Sequence, residues 1–87
     1  MALLTVLHPV RDYQAWREVY DSVAELQRSA GVTAESVHRL AGEPNTVLVL
    51  HHFATAAQAE AFLAHPELRA VMERAGVAAP PRFEIYA

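Results

Sequence analysis

The segment Thr46-Val-Leu-Val-Leu-His-His-Phe53 is apolar at both parities, with Val47 and Val49 on one face of a strand and Leu48 and Leu50 on the other. Side chains alternate faces along a strand, so both faces of any sheet that holds this segment need cover. Residues 2 to 8 repeat the pattern, with Leu3 and Leu7 set against Leu4 and Val6. Helices packed on one side cover only one of those faces. Three or four large aliphatics left in water would forgo about 1.5 to 3 kcal/mol each, a sum that rivals the stability of a small domain. A second copy of the same sheet is the expected cover, because two-fold homodimers are the commonest soluble oligomers. The alternative is a buried heterologous partner or an aggregation-prone surface.

The order of elements follows from changes of period. Residues 2 to 8 read as a first strand, stopped by Pro9. From Asp12 the apolar positions Tyr13, Trp16, Tyr20, Val23 and Ala30 recur at helical spacing, with Asp12 as N-cap and Gly31 after the last turn. That spacing predicts one helix over about 13–30. Val32 to Leu40 and Asn45 to Phe53 flank Ala-Gly-Glu-Pro-Asn, a connection rich in turn formers, and predict a hairpin with a loop of about five residues. Thr55-Ala-Ala-Gln58 matches a capping box for a helix over Ala56 to Ala64, and Pro66 opens a further helix over Glu67 to Ala75. Arg82 to Tyr86 alternates as a last strand. The order βαββαβ is that of an α+β ferredoxin-like fold, a four-stranded antiparallel sheet in spatial order 4-1-3-2 with both helices on one face. Eighty-seven residues suit a single domain, 1–87.

Charge and composition narrow the partners. Ten acidic residues against seven basic ones give a net charge of −3, which argues against nucleic acid. With no cysteine, no disulfide or thiolate metal site can form. No apolar run approaches the roughly 20 residues that cross a bilayer, so no membrane partner is expected. Met1-Ala2-Leu3-Leu4 lacks the basic start of a signal peptide, and a cytoplasmic location is expected. With glycines only at 31, 42 and 76, the chain has no phosphate-cradling loop, and no nucleotide or flavin cofactor is expected.

Five histidines in 87 residues are the most chemically suggestive feature. His8 and the pair His51-His52 end strands, and with strands one and three taken as parallel neighbours they fall on one edge of the sheet. A hairpin register pairing Leu40 with Val47 adds His38 to the face of His51. Imidazole titrates near working pH, so His8 and His51 are candidates for general base and acid. The bland reading is half-buried strand-end histidines with ordinary partners. Adjacent His51 and His52 point to opposite faces and cannot share one ion without a bulge, so no metal is expected. Tyr13, Trp16 and Tyr20 on the first helix, with His38, Phe62 and Met72, are candidate walls of a substrate cavity, or else plain core. His65, beside Pro66, is expected to be a bystander.

Three segments resemble a known superfamily: His8-Pro-Val-Arg-Asp-Tyr-Gln-Ala-Trp16, the Pro44-Asn45 turn with Val-Leu-Val-Leu after it, and Pro66-Glu-Leu-Arg-Ala-Val-Met-Glu-Arg-Ala-Gly-Val77. They are similar to the dimeric α+β barrels, and more narrowly to small bacterial cyclase and antibiotic-biosynthesis-monooxygenase-like members. The chain departs from that pattern at His65, where a Ser cap is common, and at His52, where an acidic residue is usual. The resemblance implies two sheets closing a barrel, a ligand cavity between helices and sheet in each subunit, and chemistry without a cofactor. The expected function is a small enzyme that acts on an apolar, polyketide-like or other secondary-metabolite intermediate by histidine acid–base chemistry, in a cyclisation, isomerisation or oxygenation. The rival is a non-catalytic dimeric ligand-binding or structural protein.

Overall fold

Each change of period along the chain becomes a change of element in the computed structural model, which describes residues 1–87. The elements are β1 (Ala2–Pro9), α1 (Tyr13–Ser22), α2 (Ala24–Ser29), β2 (Ala34–Leu40), β3 (Glu43–Phe53), α3 (Ala56–Leu63), α4 (Pro66–Arg74) and β4 (Arg82–Tyr86). The strands form one sheet in the order β2-β3-β1-β4, as the βαββαβ pattern requires. Every neighbouring pair is antiparallel.

That last fact corrects the expectation of parallel β1 and β3. The crossover through α1 and α2 makes β1 and β2 parallel, and the hairpin makes β3 antiparallel to β2. A strand between the two must oppose both. In the register His8 lies opposite Val47 and His51 opposite Leu4, so the two histidines share a face but stand four pairs apart. At about 3.3 Å per residue that is roughly 13 Å along the strands.

The hairpin is tighter than expected. Leu40 pairs with Glu43 across Ala41-Gly42, and Pro44 and Asn45 become the start of β3 instead of loop. Gly42, at φ +85°, supplies the left-handed residue that so short a turn needs. Beyond a bulge between Arg39 and Leu40 the register sets Arg39, not Leu40, opposite Val47, and this one-residue slip from the expected pairing moves every β2 side chain to the other face.

Asp12 caps α1 by accepting the Ala15 N–H at 2.9 Å. The single expected helix is two, because the chain leaves helical geometry at Val23 (φ −108°, ψ 22°). There the Ser22 hydroxyl donates to the Val19 carbonyl at 2.6 Å, a side-chain bond that competes with the helical ladder. The Thr55–Gln58 capping box forms as expected. His65 Nδ1 accepts the Glu67 N–H at 3.1 Å and so caps α4 in the place of a serine.

Leu4, Val6, Val47, Val49 and Phe53 form one face of the sheet and pack against Trp16, Tyr20, Ala59, Phe62 and Ala75 of the helical layer. Leu3, Leu7, Leu48 and Leu50 have the opposite parity and face away from the helices, where Leu7 is 41% exposed. Tyr86, opposite Leu3 on β4, is 52% exposed on the same side. No helix is long and apolar enough to cross a membrane.

Candidate functional site

Between α1, α2, α4 and the sheet lies a cavity of about 60 Å³. Six of the residues expected in a site line it: His8, Trp16, Tyr20, His51, Phe62 and Met72. Trp16 and Tyr20, one turn apart on α1, stack with centroids 4.9 Å apart and planes 18° from parallel. The His8 ring stands 5.5 Å from Trp16 at one end of this pair, and the His51 ring 6.1 Å from Tyr20 at the other. Phe62 of α3 meets His51 edge-on at 5.6 Å. The antiparallel register thus separates the imidazoles, and the aromatic pair of α1 spans the gap between them.

The polar groups converge on Tyr20. Its hydroxyl lies 3.1 Å from Glu35 Oε2 and 3.0 Å from His51 Nε2. Burial, reinforced by the Glu35 carboxylate, pushes the Tyr20 phenol well above its ordinary range. Burial pulls His51 down to about 4 and lowers His8 as well, the latter opposed by the Val6 backbone. Both imidazoles are therefore neutral at physiological pH. The Nδ1 atoms of His8 and His51 are buried without a hydrogen-bond partner, in a fold where nearly all buried polar atoms are paired. A neutral imidazole with a free ring nitrogen in an apolar cavity can bind a donor or exchange a proton with it.

Two expected site residues stand elsewhere. His38 lies opposite Leu48, on the exposed face of the sheet, where Nε2 meets Ser36 Oγ at 3.0 Å. The one-residue slip of the hairpin put it there. Tyr13 stacks on the outer side of Trp16 at 5.8 Å, beneath the Arg39 guanidinium at 4.0 Å, and does not line the cavity. Arg39, though exposed, thus lies over an aromatic face. Glu35 and buried Gln27 escaped sequence reasoning. The assumed register set Ser36 opposite His51, whereas the actual one sets Glu35 there. No three His, Cys, Asp or Glu side chains converge as a metal site would require.

The lowered His51 makes the fold acid-sensitive. Between the ordinary value of 6.5 and about 4, the unfolded chain binds a proton at this residue that the folded chain excludes. Stability is fully retained above pH 6.5 and falls as the pH drops toward 4, by about 3 kcal/mol from this one group. Urea midpoints measured from pH 7 to 4.5 should fall with pH, and His51→Phe should flatten that slope. An equal slope in the variant would contradict the assignment.

Neither a protein-family model nor a curated protein sequence matches the chain. Solved structures do. A candidate antibiotic biosynthesis monooxygenase from Bordetella bronchiseptica superposes with a TM-score of 0.81 at 13% identity, over 99% of this chain and 95% of the other. SnoaB, a cofactor-independent oxygenase from Streptomyces nogalater, gives 0.78 at 12% identity, over 99% and 90%. NE2512 from Nitrosomonas europaea, a protein of unknown function, gives 0.75 at 26% identity, over 98% and 85%. The chain has the ferredoxin-like α+β fold of these proteins, with its four-stranded antiparallel sheet. Its structural neighbours include proteins named as antibiotic biosynthesis monooxygenases.

Proposed function

We propose that the chain is a small cofactor-independent enzyme, working in the cytoplasm as a homodimer, that moves a proton on an apolar polyketide-like or other secondary-metabolite intermediate. The observation that carries this reading is the His51 imidazole: neutral, buried, bonded to Tyr20 on one nitrogen and unpartnered on the other, in an apolar aromatic cavity. His51 takes a proton from an acidic carbon or hydroxyl of the bound ligand. The anion so formed pairs with the new imidazolium, which raises an otherwise depressed affinity for the proton. Returned to another atom, the proton completes an isomerisation or cyclisation. His8, at the far end of the aromatic pair, holds a second polar group of the ligand or returns the proton there.

Of the three reactions, oxygenation has the added support of the likeness to SnoaB, a cofactor-independent oxygenase. The balance needs only dioxygen. Loss of a C–H proton leaves a carbanion whose electrons reduce O₂, giving a hydroperoxide. Loss of the second C–H proton then breaks the O–O bond, so that CH₂ plus O₂ becomes C=O plus water. An oxygen electrode and mass spectrometry, applied to a panel of polycyclic phenols and anthrones, test this reading. Oxygen uptake or product formation above the no-enzyme rate supports it. Saturable binding of those compounds with no turnover favours the rival, a dimeric ligand-binding protein.

The cavity, partly open and about 60 Å³, is smaller than the ~150 Å³ that takes up benzene, so a ligand fits beside His51 only when its wall gives way. Leu68 and Met72 of α4 line both the cavity and an open groove on the far side, bounded by Val77–Pro81 and Phe83. α4 contributes no fully buried side chain, and methionine is the most adaptable of the apolar residues. Met72→Ala should join the two spaces, at a cost of about 2 kcal/mol. Benzene should then raise the thermal midpoint of the variant more than that of the wild type.

A further inference from the structure

Tyr20 stands between a group that can only accept a proton and one that can do either. The register sets Glu35 of β2 beside His51 of β3, both on the helix-facing side, and α1 lowers the Tyr20 hydroxyl onto the two together. A phenol has one proton. If that proton went to His51 Nε2, the phenol and carboxylate oxygens would face each other at 3.1 Å with lone pairs only. The proton therefore lies toward Glu35, and the phenol oxygen is left to accept. It can accept only from an N–H, so Nε2 carries the imidazole proton. A neutral imidazole has one proton to place, and Nδ1 has none.

We propose that Glu35 is a positioning residue: acting through Tyr20, it fixes His51 with its proton on Nε2 and a bare Nδ1, so that the site takes neutral ligands with an acidic O–H, of the phenol or enol class. This rests on the acid–base reading of the cavity and specifies which nitrogen does the work. The buried Nδ1 without a partner is the acceptor that such a ligand satisfies. A ligand lacking the donor leaves that nitrogen unpaired, and a carboxylate sets lone pairs against it. The same connection serves the charged form, because an imidazolium at His51 is joined through the phenol to the Glu35 carboxylate. An acceptor on the far nitrogen of a catalytic histidine sets its tautomer and orientation in the same way.

Nitrogen NMR of the imidazoles, by long-range ¹⁵N–¹H correlation, reads the tautomer directly, with His51 assigned from the signals lost in His51→Asn. The wild type should show a protonated Nε2 and an unprotonated Nδ1. Glu35→Lys places a group that can only donate at this exposed position, turns the phenol proton toward His51 and should reverse the pattern. The signals of the other four histidines should stay in place as a check on folding. A wild-type His51 protonated on Nδ1, or a pattern unmoved by Glu35→Lys, would overturn the proposal. On the ligand side, phenol should shift the Nδ1 resonance and bind at least tenfold more tightly than anisole or benzoate. Anisole binding as well as phenol would remove the donor requirement. Turnover without this tautomer would leave the acid–base reading standing and take Glu35 out of it, whereas the tautomer without turnover on any substrate would do the converse.

Discussion

Replacing His51 with alanine should lower turnover about a hundredfold or more, since a positioned general base contributes about 10²- to 10⁴-fold. The loss should fall on kcat more than on KM, because proton transfer loses its base outright, whereas the apolar walls still hold a ligand that has lost its hydrogen bond to Nδ1. Trp16, Tyr20 and Phe62 still line the vacated space. His8→Ala should cost turnover too, but its register places it at the other end of the stacked pair, so a smaller loss with a larger KM component is expected there. Steady-state kinetics of both variants on a substrate found in the panel check this. Full activity in His51→Ala would move the chemistry elsewhere. The variant should fold, because the change removes a desolvated imidazole along with its packing.

The second large effect concerns the bare face of the sheet. Leu3, Leu7, Leu48 and Leu50, with Tyr86 at the margin, form an apolar surface on the side that no helix covers. Sedimentation at low micromolar concentration should give twice the 9.6 kDa of the chain, and the unfolding midpoint should rise with protein concentration. In a two-fold interface each substitution acts twice. Leu48→Arg would remove two buried leucines, worth about 1.5 to 3 kcal/mol each, and add two charges to an apolar contact. The dissociation constant should rise at least a thousandfold, about 4 kcal/mol. A monodisperse wild-type monomer would refute the dimer, and an unchanged Leu48→Arg dimer would place its interface elsewhere.

What the sequence allowed to be read, and what it hid, divide along one line. Periodicity within a segment was legible: the strand alternation of Leu4, Val6 and His8, the helical recurrence of Trp16 and Tyr20, and the Thr55–Gln58 box all appear where local pattern put them. Pairing between segments was not. Pro44 and Asn45 are turn formers by propensity, yet they sit in β3, where the ladder to β2 bulges between Arg39 and Leu40 and slips one residue from the expected register. That difference of one residue sent His38 to the open face and brought Glu35, which no motif marks, to the side of His51. The relative direction of β1 and β3 follows from the connectivity, in which β1 runs parallel to β2 and β3 turns back antiparallel to both. At the break at Val23 the Ser22 hydroxyl bonds the Val19 carbonyl, a contact that periodicity does not register.

The position of Trp16 has a consequence for how this molecule can be watched. It is the only tryptophan in the chain, 4% exposed, with its ring against Tyr20 on one side and near His8 on the other. Its emission is therefore a built-in optical reporter for a single place, free of background from any other indole. A ligand that enters beside the stacked pair, a proton that arrives on His8, or water admitted by a moving α4 each changes the surroundings of that one chromophore. The same rings that wall the cavity make its filling and emptying visible in real time, without a label.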